Sequence, residues 1–228
     1  KVLAEDAVPG MCNADGIGID KDDNLYVMVA AARVIDGKAY PSDKSETLMK
    51  FRPGKAKMTC DGKDAILPLP AELKPKRPPE VSKYGMANIW VDDAEWMYGG
   101  VGYGGQGGAC TCWHARFQLD YFALSFVPEV QRYSVAVLDS NGNLVMRIGR
   151  YGNVDDGQPL VAEGGPSHPR SIGGDEVSLS HAAYIGLHTD RRLFIHDAGN
   201  ARILSVKLDY AANEKVSLKD VPDAAEKK

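Results

Sequence analysis

The chain has 228 residues, 44% of them apolar and 25% charged, proportions ordinary for a globular protein and enough for one large all-β domain or part of a bigger one. Its net charge is −4 without long runs of either sign, which argues against nucleic-acid binding, because such surfaces normally carry a basic stripe. No apolar stretch approaches the roughly 20 residues that a bilayer-crossing helix needs.

The chain opens on Lys1-Val2-Leu3-Ala4-Glu5-Asp6, without Met or an export signal, and reads as a processed or trimmed piece; the compartment is left open by that absence. Residues 16–20 and 25–29 predict a hairpin and 48–52 a third strand, with 30–47 as a surface insertion. Residues 68–79, rich in Pro and Lys, predict an extended connector. Residues 88–98 predict a second hairpin, which runs into the glycine-rich stretch 99–108. Residues 116–120, 124–128, 132–139 and 143–149 predict four consecutive antiparallel strands, with Pro128 at a strand end and Asn141-Gly142 favouring a type I′ turn. A last set of four falls at 182–187, 192–196, 201–208 and 215–218.

One phrase recurs four times: an apolar residue, Asp or His, a tight turn, then another apolar run. It occurs as Ile19-Asp20 before Leu25-Tyr26-Val27, Val91-Asp92 before Trp96-Met97-Tyr98, Leu119-Asp120 before Leu124-Ser125-Phe126-Val127, and Leu187-His188 before Leu193-Phe194-Ile195. Each copy describes an inner hairpin, and a set of inner hairpins builds a β-propeller. The fold expected is therefore all-β, a propeller of four-stranded antiparallel blades over residues 1–221 with a polar tail at 222–228. Three blades and a partial one are readable, whereas closed propellers have about four to eight, so the propeller is expected to be incomplete or part of a larger one.

Leu193-Phe194-Ile195-His196-Asp197-Ala198-Gly199-Asn200-Ala201-Arg202-Ile203 resembles the core of an NHL repeat: an apolar strand, Asp, Asn three residues on, then Arg-Ile. The run from Gly18 to Val27 resembles the opening half of that repeat, and Phe126-Val127-Pro128-Glu129 with Arg132-Tyr133 is similar but shorter between acid and arginine. The resemblance covers about two-thirds of the chain and implies a propeller. It implies no single function, because NHL propellers include ligand binders, RNA binders, signalling domains and a metal-dependent lyase.

In a propeller, the connections entering first strands and the turns from second to third strands share one face. Cys12, Cys110, Cys112, His114, His168, His181, His196 and Asp197 are expected there, and His188 on the opposite face. Cys110-x-Cys112-x-His114 has the ligand types for Zn²⁺ or copper, with Cys12, His168 or His181 as a fourth ligand. The competing reading is a disulfide from Cys110 or Cys112 to Cys12 or Cys60, or inert thiols. The spacing is not that of a c-type haem site, and the glycine stretch lacks the Gly-Lys-Ser/Thr ending of a phosphate loop.

His196-Asp197 has the types of an acid/base pair, but such an Asp more often caps a turn. Asp20, Asp92 and Asp120 read as turn chemistry rather than a Ca²⁺ ladder. Tyr98, Tyr103 and Trp113 offer an aromatic shelf or, more often, core packing, and Arg202 reads as a packing arginine between blades. The leading expectation is an extracytoplasmic (periplasmic or secreted) module that binds a protein partner, subunits of a larger assembly or a small ligand at its channel face. The rival is a metal-dependent or redox enzyme centred on Cys110, Cys112 and His114.

Overall fold

The computed structural model describes residues 1–11, 14–62, 69–83, 87–103, 115–153 and 177–208. It is all-β: among these residues the only helical pieces are three-residue 3₁₀ turns. The strands are β1 (Ala14–Ile19), β2 (Leu25–Val29), β3 (Ala32–Ile35), β4 (Lys38–Tyr40), β5 (Glu46–Phe51), β6 (Lys57–Cys60), β7 (Val81–Lys83), β8 (Ala87–Asp92) and β9 (Ala94–Val101). They continue with β10 (Gln118–Leu119), β11 (Ser125–Glu129), β12 (Ser134–Leu138), β13 (Leu144–Ile148), β14 (Arg150–Tyr151), β15 (Ser178–Leu179), β16 (Ala182–His188), β17 (Arg192–Asp197) and β18 (Arg202–Lys207).

Three main sheets follow the expected meander. The first is ordered β1-β2-β5-β9, the second β10-β11-β12-β13, and the third β16-β17-β18. The expected fourth strand of the last sheet, 215–218, lies outside the described residues, as does the tail at 222–228. A further sheet, β4-β3-β7-β8-β6, is built from chain inserted between the strands of the first. The 30–47 insertion is thus partly a hairpin of this side sheet rather than a loose excursion. The segment before β7 is a 3₁₀ turn and extended chain held by Arg77, whose guanidinium donates to Glu80, the Val91 carbonyl and Asp92.

The 88–98 hairpin does not form. β8 joins the side sheet and β9 becomes the outer strand of the first, with Asp93 at φ 59° between them. Two apolar strands with one residue between them can part this way when each finds other partners; here β9 pairs with β5 from Glu46↔Val101 to Phe51↔Ala94, and β8 with β6 and β7. The Asn141-Gly142 turn is also not type I′, which needs positive φ at both central residues. Only Gly142 is left-handed (φ 80°), Asp139 accepts the Asn141 and Asn143 N–H groups, and a bulge follows at Val137/Leu138.

The sheets stack face to face, and strand periodicity decides which residue enters which layer. On β2, Leu25, Val27 and Val29 face the side sheet, whereas Tyr26 and Met28 face the second sheet. On β11, Val127 faces the first sheet and Phe126 the third. Strands covered on both faces are buried throughout, as in β2, β5, β11 and β12. β18 instead alternates half-buried and exposed, because only one of its faces is covered.

The first strands of the three sheets meet along one line. Asp15 of β1 lies 3.3 Å from the Arg116 guanidinium, and the Arg116 N–H donates to the Ala183 carbonyl of β16 at 2.8 Å. Gly16 and Gly18 permit this approach: a Cβ on either would stand 3.1–3.2 Å from the Phe117 ring. Phe117, 6% exposed, fills the space those glycines leave. Phe117→Ala is expected to cost about 3–5 kcal/mol of stability, read as a lower urea midpoint at unchanged slope.

Candidate functional site

One end of the stack gathers carboxyl groups. It is formed by the starts of β1, β5, β12 and β16 and the ends of β2, β9, β11 and β17. Glu46, Glu129 and Asp197 lie there, each no more than 1% exposed, in sheets one, two and three. A carboxylate buried to that degree must be hydrogen-bonded, paired or protonated, and the three meet the demand differently.

Glu129 is paired. The Arg147 guanidinium of β13 donates through Nε at 2.6 Å to Oε2 and through a terminal nitrogen at 3.2 Å to Oε1. The Tyr98 hydroxyl donates at 2.9 Å and the Ser134 hydroxyl at 3.0 Å. Burial, then the adjacent Glu129 charge, push the Tyr98 phenol up to about 12. Asp197 is hydrogen-bonded. It accepts the backbone N–H groups of Ser180 (3.1 Å) and His181 (2.8 Å) and the Asn200 amide (2.6 Å), with Arg202 Nε at 3.5 Å.

Glu129 and Asp197 occupy equivalent positions. Each closes a second strand and is followed by a 3₁₀ turn and a left-handed residue, Tyr133 (φ 56°) or Ala201 (φ 49°). Both carboxylates are therefore clasps of the strand-to-strand connection. Asp197 has its oxygens committed, and His196 projects from the opposite face of β17, so the two do not form an acid/base pair.

Glu46 is the exception. Its polar neighbours are the Asp15 carboxyl, with which it shares a hydrogen bond, the Arg116 guanidinium and the Tyr103 backbone. Burial, then the Asp15 carboxyl, push its pKa well above the ordinary carboxylate range, against a smaller opposing pull from Arg116. Gly102 (φ 57°) is required beside it, since a Cβ there would lie 2.6 Å from the Glu46 carboxyl.

Of the residues singled out for metal binding, Cys12, Cys110, Cys112, His114 and His168 lie outside the described residues, as does Trp113. His181 is placed at the carboxyl-bearing end, its ring edge-on to Tyr103 at 6.0 Å. Burial lowers its basicity, and nearby His196 adds to this against the opposing Asp197 charge. His181, His196 and Asp197 do share one end, and His188 sits at the other, 2.6 Å from Asp190. Among the described residues no group of three or more His, Cys, Asp or Glu is placed to hold a metal ion. Cys60 lies half-buried at the end of β6.

The turn reading holds for Asp20 and Asp120 and not for Asp92. Asp20 accepts the Asp22 and Asn24 N–H groups, and Asp120 accepts those of Phe122 and Leu124. Asp92 instead meets Arg77 at 2.8 Å. Arg202 donates to the Ser178 carbonyl and hydroxyl, tying β15 to the third sheet. Glu46 and Glu129 were not singled out in sequence as buried acids. The signal was present: each is an acid flush against an apolar run, Thr47-Leu48-Met49 or Phe126-Val127-Pro128.

No family model and no curated protein matches the chain. One solved structure that it resembles is virginiamycin B lyase from Staphylococcus aureus, at 12% identity over 86% of this chain and 70% of that one, with a TM-score of 0.23, a likeness too slight to transfer any property. No helix among the described residues is long and apolar enough to cross a membrane.

The Glu46 carboxyl has a testable consequence. Its folded-state pKa stands above the unfolded value, so the fold favours its protonated form; that stability is present below the unfolded pKa and is lost as pH rises through the folded pKa. Glu46→Gln, which keeps the shape and removes the charge, is expected to leave Tm nearly unchanged at pH 4 and to raise it progressively towards pH 8, measured by thermal melts across that range.

Proposed function

We propose that the chain is a docking module of the β-propeller kind, NHL-like in its repeats, that assembles head to tail with further copies of itself. The observation that carries this reading is the outer face of the third sheet. Tyr184, His196 and Ile203 stand in one row across β16, β17 and β18, and Gly186, Phe194 and Ser205 in the next. Ile203 is 71% exposed and Tyr184 41%, although Ile185 and Ile195, on the reverse face, are buried. The Tyr184 and His196 rings stack at 5.5 Å. This face is apolar in the middle, belongs to the last sheet of the stack, and has no sheet packed against it among the described residues.

The occupant is identified by charge and by shape. Arg192, Lys207, His188 and His196 project from the same face; no carboxylate of its three strands does, and Asp190 of the β16–β17 turn pairs with Arg192 and His188. At the edge of the first sheet, on its face away from the second, β1 exposes Ile17 (68%) and Ile19 (60%) beside the acidic turn Asp20-Lys21-Asp22-Asp23. An apolar row next to acids on one sheet matches an apolar row next to bases on the other. Face-to-face pairing of two third sheets would oppose like charges, so the contact is heterologous, one sheet against the other. Burying an isoleucine is worth about 1.5–3 kcal/mol against at most about 1 for an exposed ion pair, so the apolar rows set affinity and the charges set orientation.

Sedimentation of the purified chain is expected to show mass rising with concentration and falling with salt. Ile203→Asp and Ile17→Asp should each give a monomer, and an equimolar mixture should recover a 1:1 dimer, because each variant keeps one intact surface. A mixture that stays monomeric, or a native chain monomeric at hundreds of micromolar, rejects self-assembly. Protection of Ile203 only by a different protein would reject it equally.

A further inference from the structure

The side sheet, the first sheet and the second sheet meet around a cleft of about 300 Å³. Arg33, Ile35 and Tyr40 line it from the β3–β4 hairpin, Met97 from β9, and Glu129 and Arg132 from the end of β11 and the turn after it. Gly99 of β9 makes room for the hairpin, because a Cβ there would collide with the Arg33 side chain.

The positive charge in this cleft exceeds what folding requires. Glu129 is already satisfied by Arg147, Tyr98 and Ser134. Its counterpart in the third sheet, Asp197, is met three residues on by the neutral Asn200, whose amide donates to it at 2.6 Å. The same position after Glu129 is Arg132. Arg132 stands 3.7 Å from the Glu129 carboxylate, beyond hydrogen-bonding distance, and donates instead to the Tyr40 hydroxyl at 3.1 Å. Arg33 pairs with Tyr40 across the hairpin, and its guanidinium donates to the carbonyls of Val34 at 3.2 Å and Glu80 at 2.6 Å, neither of them charged. The Glu80 carboxylate is itself engaged by Arg77. Both arginines thus have partners, but three guanidiniums answer one carboxylate. Glu129 is the only acid among the described residues that lines the cleft, and Arg147 neutralises it, so Arg33 and Arg132 leave two positive charges beside one phenol.

We infer that this cleft binds a small organic dianion, a short dicarboxylate or a phosphate monoester. Its oxygens face Arg33, Arg132 and the Tyr40 hydroxyl, and its carbon chain lies on Ile35 and Met97. Guanidinium forks match the oxygens of both anions. The volume stands at the lower end of the range of about 300–1,000 Å³ typical of small-molecule sites, which restricts the ligand to a few carbons. The cleft lies apart from the exposed face of the third sheet and does not depend on self-assembly.

The probes are glutarate and n-propyl phosphate, titrated calorimetrically into the purified chain at neutral pH, with glutaramide as the uncharged comparator. One site per chain is expected for at least one dianion, and the tighter of the two identifies the anionic group. Arg132→Asn installs the side chain of the equivalent third-sheet turn. It should weaken the dianion about tenfold, the order of one charge-assisted hydrogen bond, and Arg33→Gln should do the same. Arg132→Lys, which keeps the charge, should lose less than Arg132→Asn. Ile203→Asp should leave binding unchanged. Absence of binding by both dianions at millimolar concentration, glutaramide binding as tightly as glutarate, or full affinity in the Arg33→Gln/Arg132→Asn double variant would each overturn the inference. Circular dichroism of every variant separates loss of the site from loss of the fold.

Discussion

Cover for sheet faces is the constraint on which this structure depends. Strands β2, β5, β11 and β12 are buried on both sides, so each has a neighbour on both sides. The side sheet covers the first sheet, the first and third cover the second, and one interface therefore stabilises two sheets at once. The close approach of the first strands follows from the same demand: Gly16 and Gly18 admit Phe117, and Arg116 reaches both Asp15 and the Ala183 carbonyl.

Polar groups are distributed so that stacking is not opposed. At one end short turns satisfy their backbone with a leading aspartate, Asp20 or Asp120. Burial alone would raise the Asp20 carboxyl, but the Asn24 and Asp22 hydrogen bonds outweigh it and hold the carboxyl below its ordinary range. At the other end longer connections are clasped by Glu129 and Asp197, each with an arginine of its own sheet. Glu46 instead faces a second carboxyl, Asp15, where the first sheet meets the second. A buried acid kept protonated is compatible with close packing in a way that a charged one is not.

Much of this was legible along the chain. The second sheet was readable strand by strand, because each of its connections is short and each turn carries its own signal in Asp120 or Asn141-Gly142. The alternation of Ile203 and Ser205 against Leu204 and Val206 already described a strand covered on one face. The first sheet was half legible. Its fourth strand, β9, lies 43 residues beyond the end of β5 at Phe51, counting from Phe51 to Ala94, and the strand beside it in sequence, β8, belongs to another sheet. Periodicity identified both as strands and had no means of assigning their partners. His181, His196 and Asp197 lie at one end of the stack, with His196 and Asp197 on opposite faces of β17. Glu129 and Arg147 did not stand out as a pair, since they are 18 positions apart on non-adjacent strands.

The sequence by itself determined that the chain is all-β, where most strands begin and end, and which turns are held by aspartate, because those properties rest on side-chain alternation and on hydrogen bonds within a few residues. Tertiary structure alone decided that the inserted strands form a sheet of their own, that Glu46 is a buried acid facing Asp15, and that Arg33 and Arg132 line one cleft. Those outcomes depend on which sheet face meets which, a choice made by summed apolar contact over distant segments, and no local window of residues contains that sum.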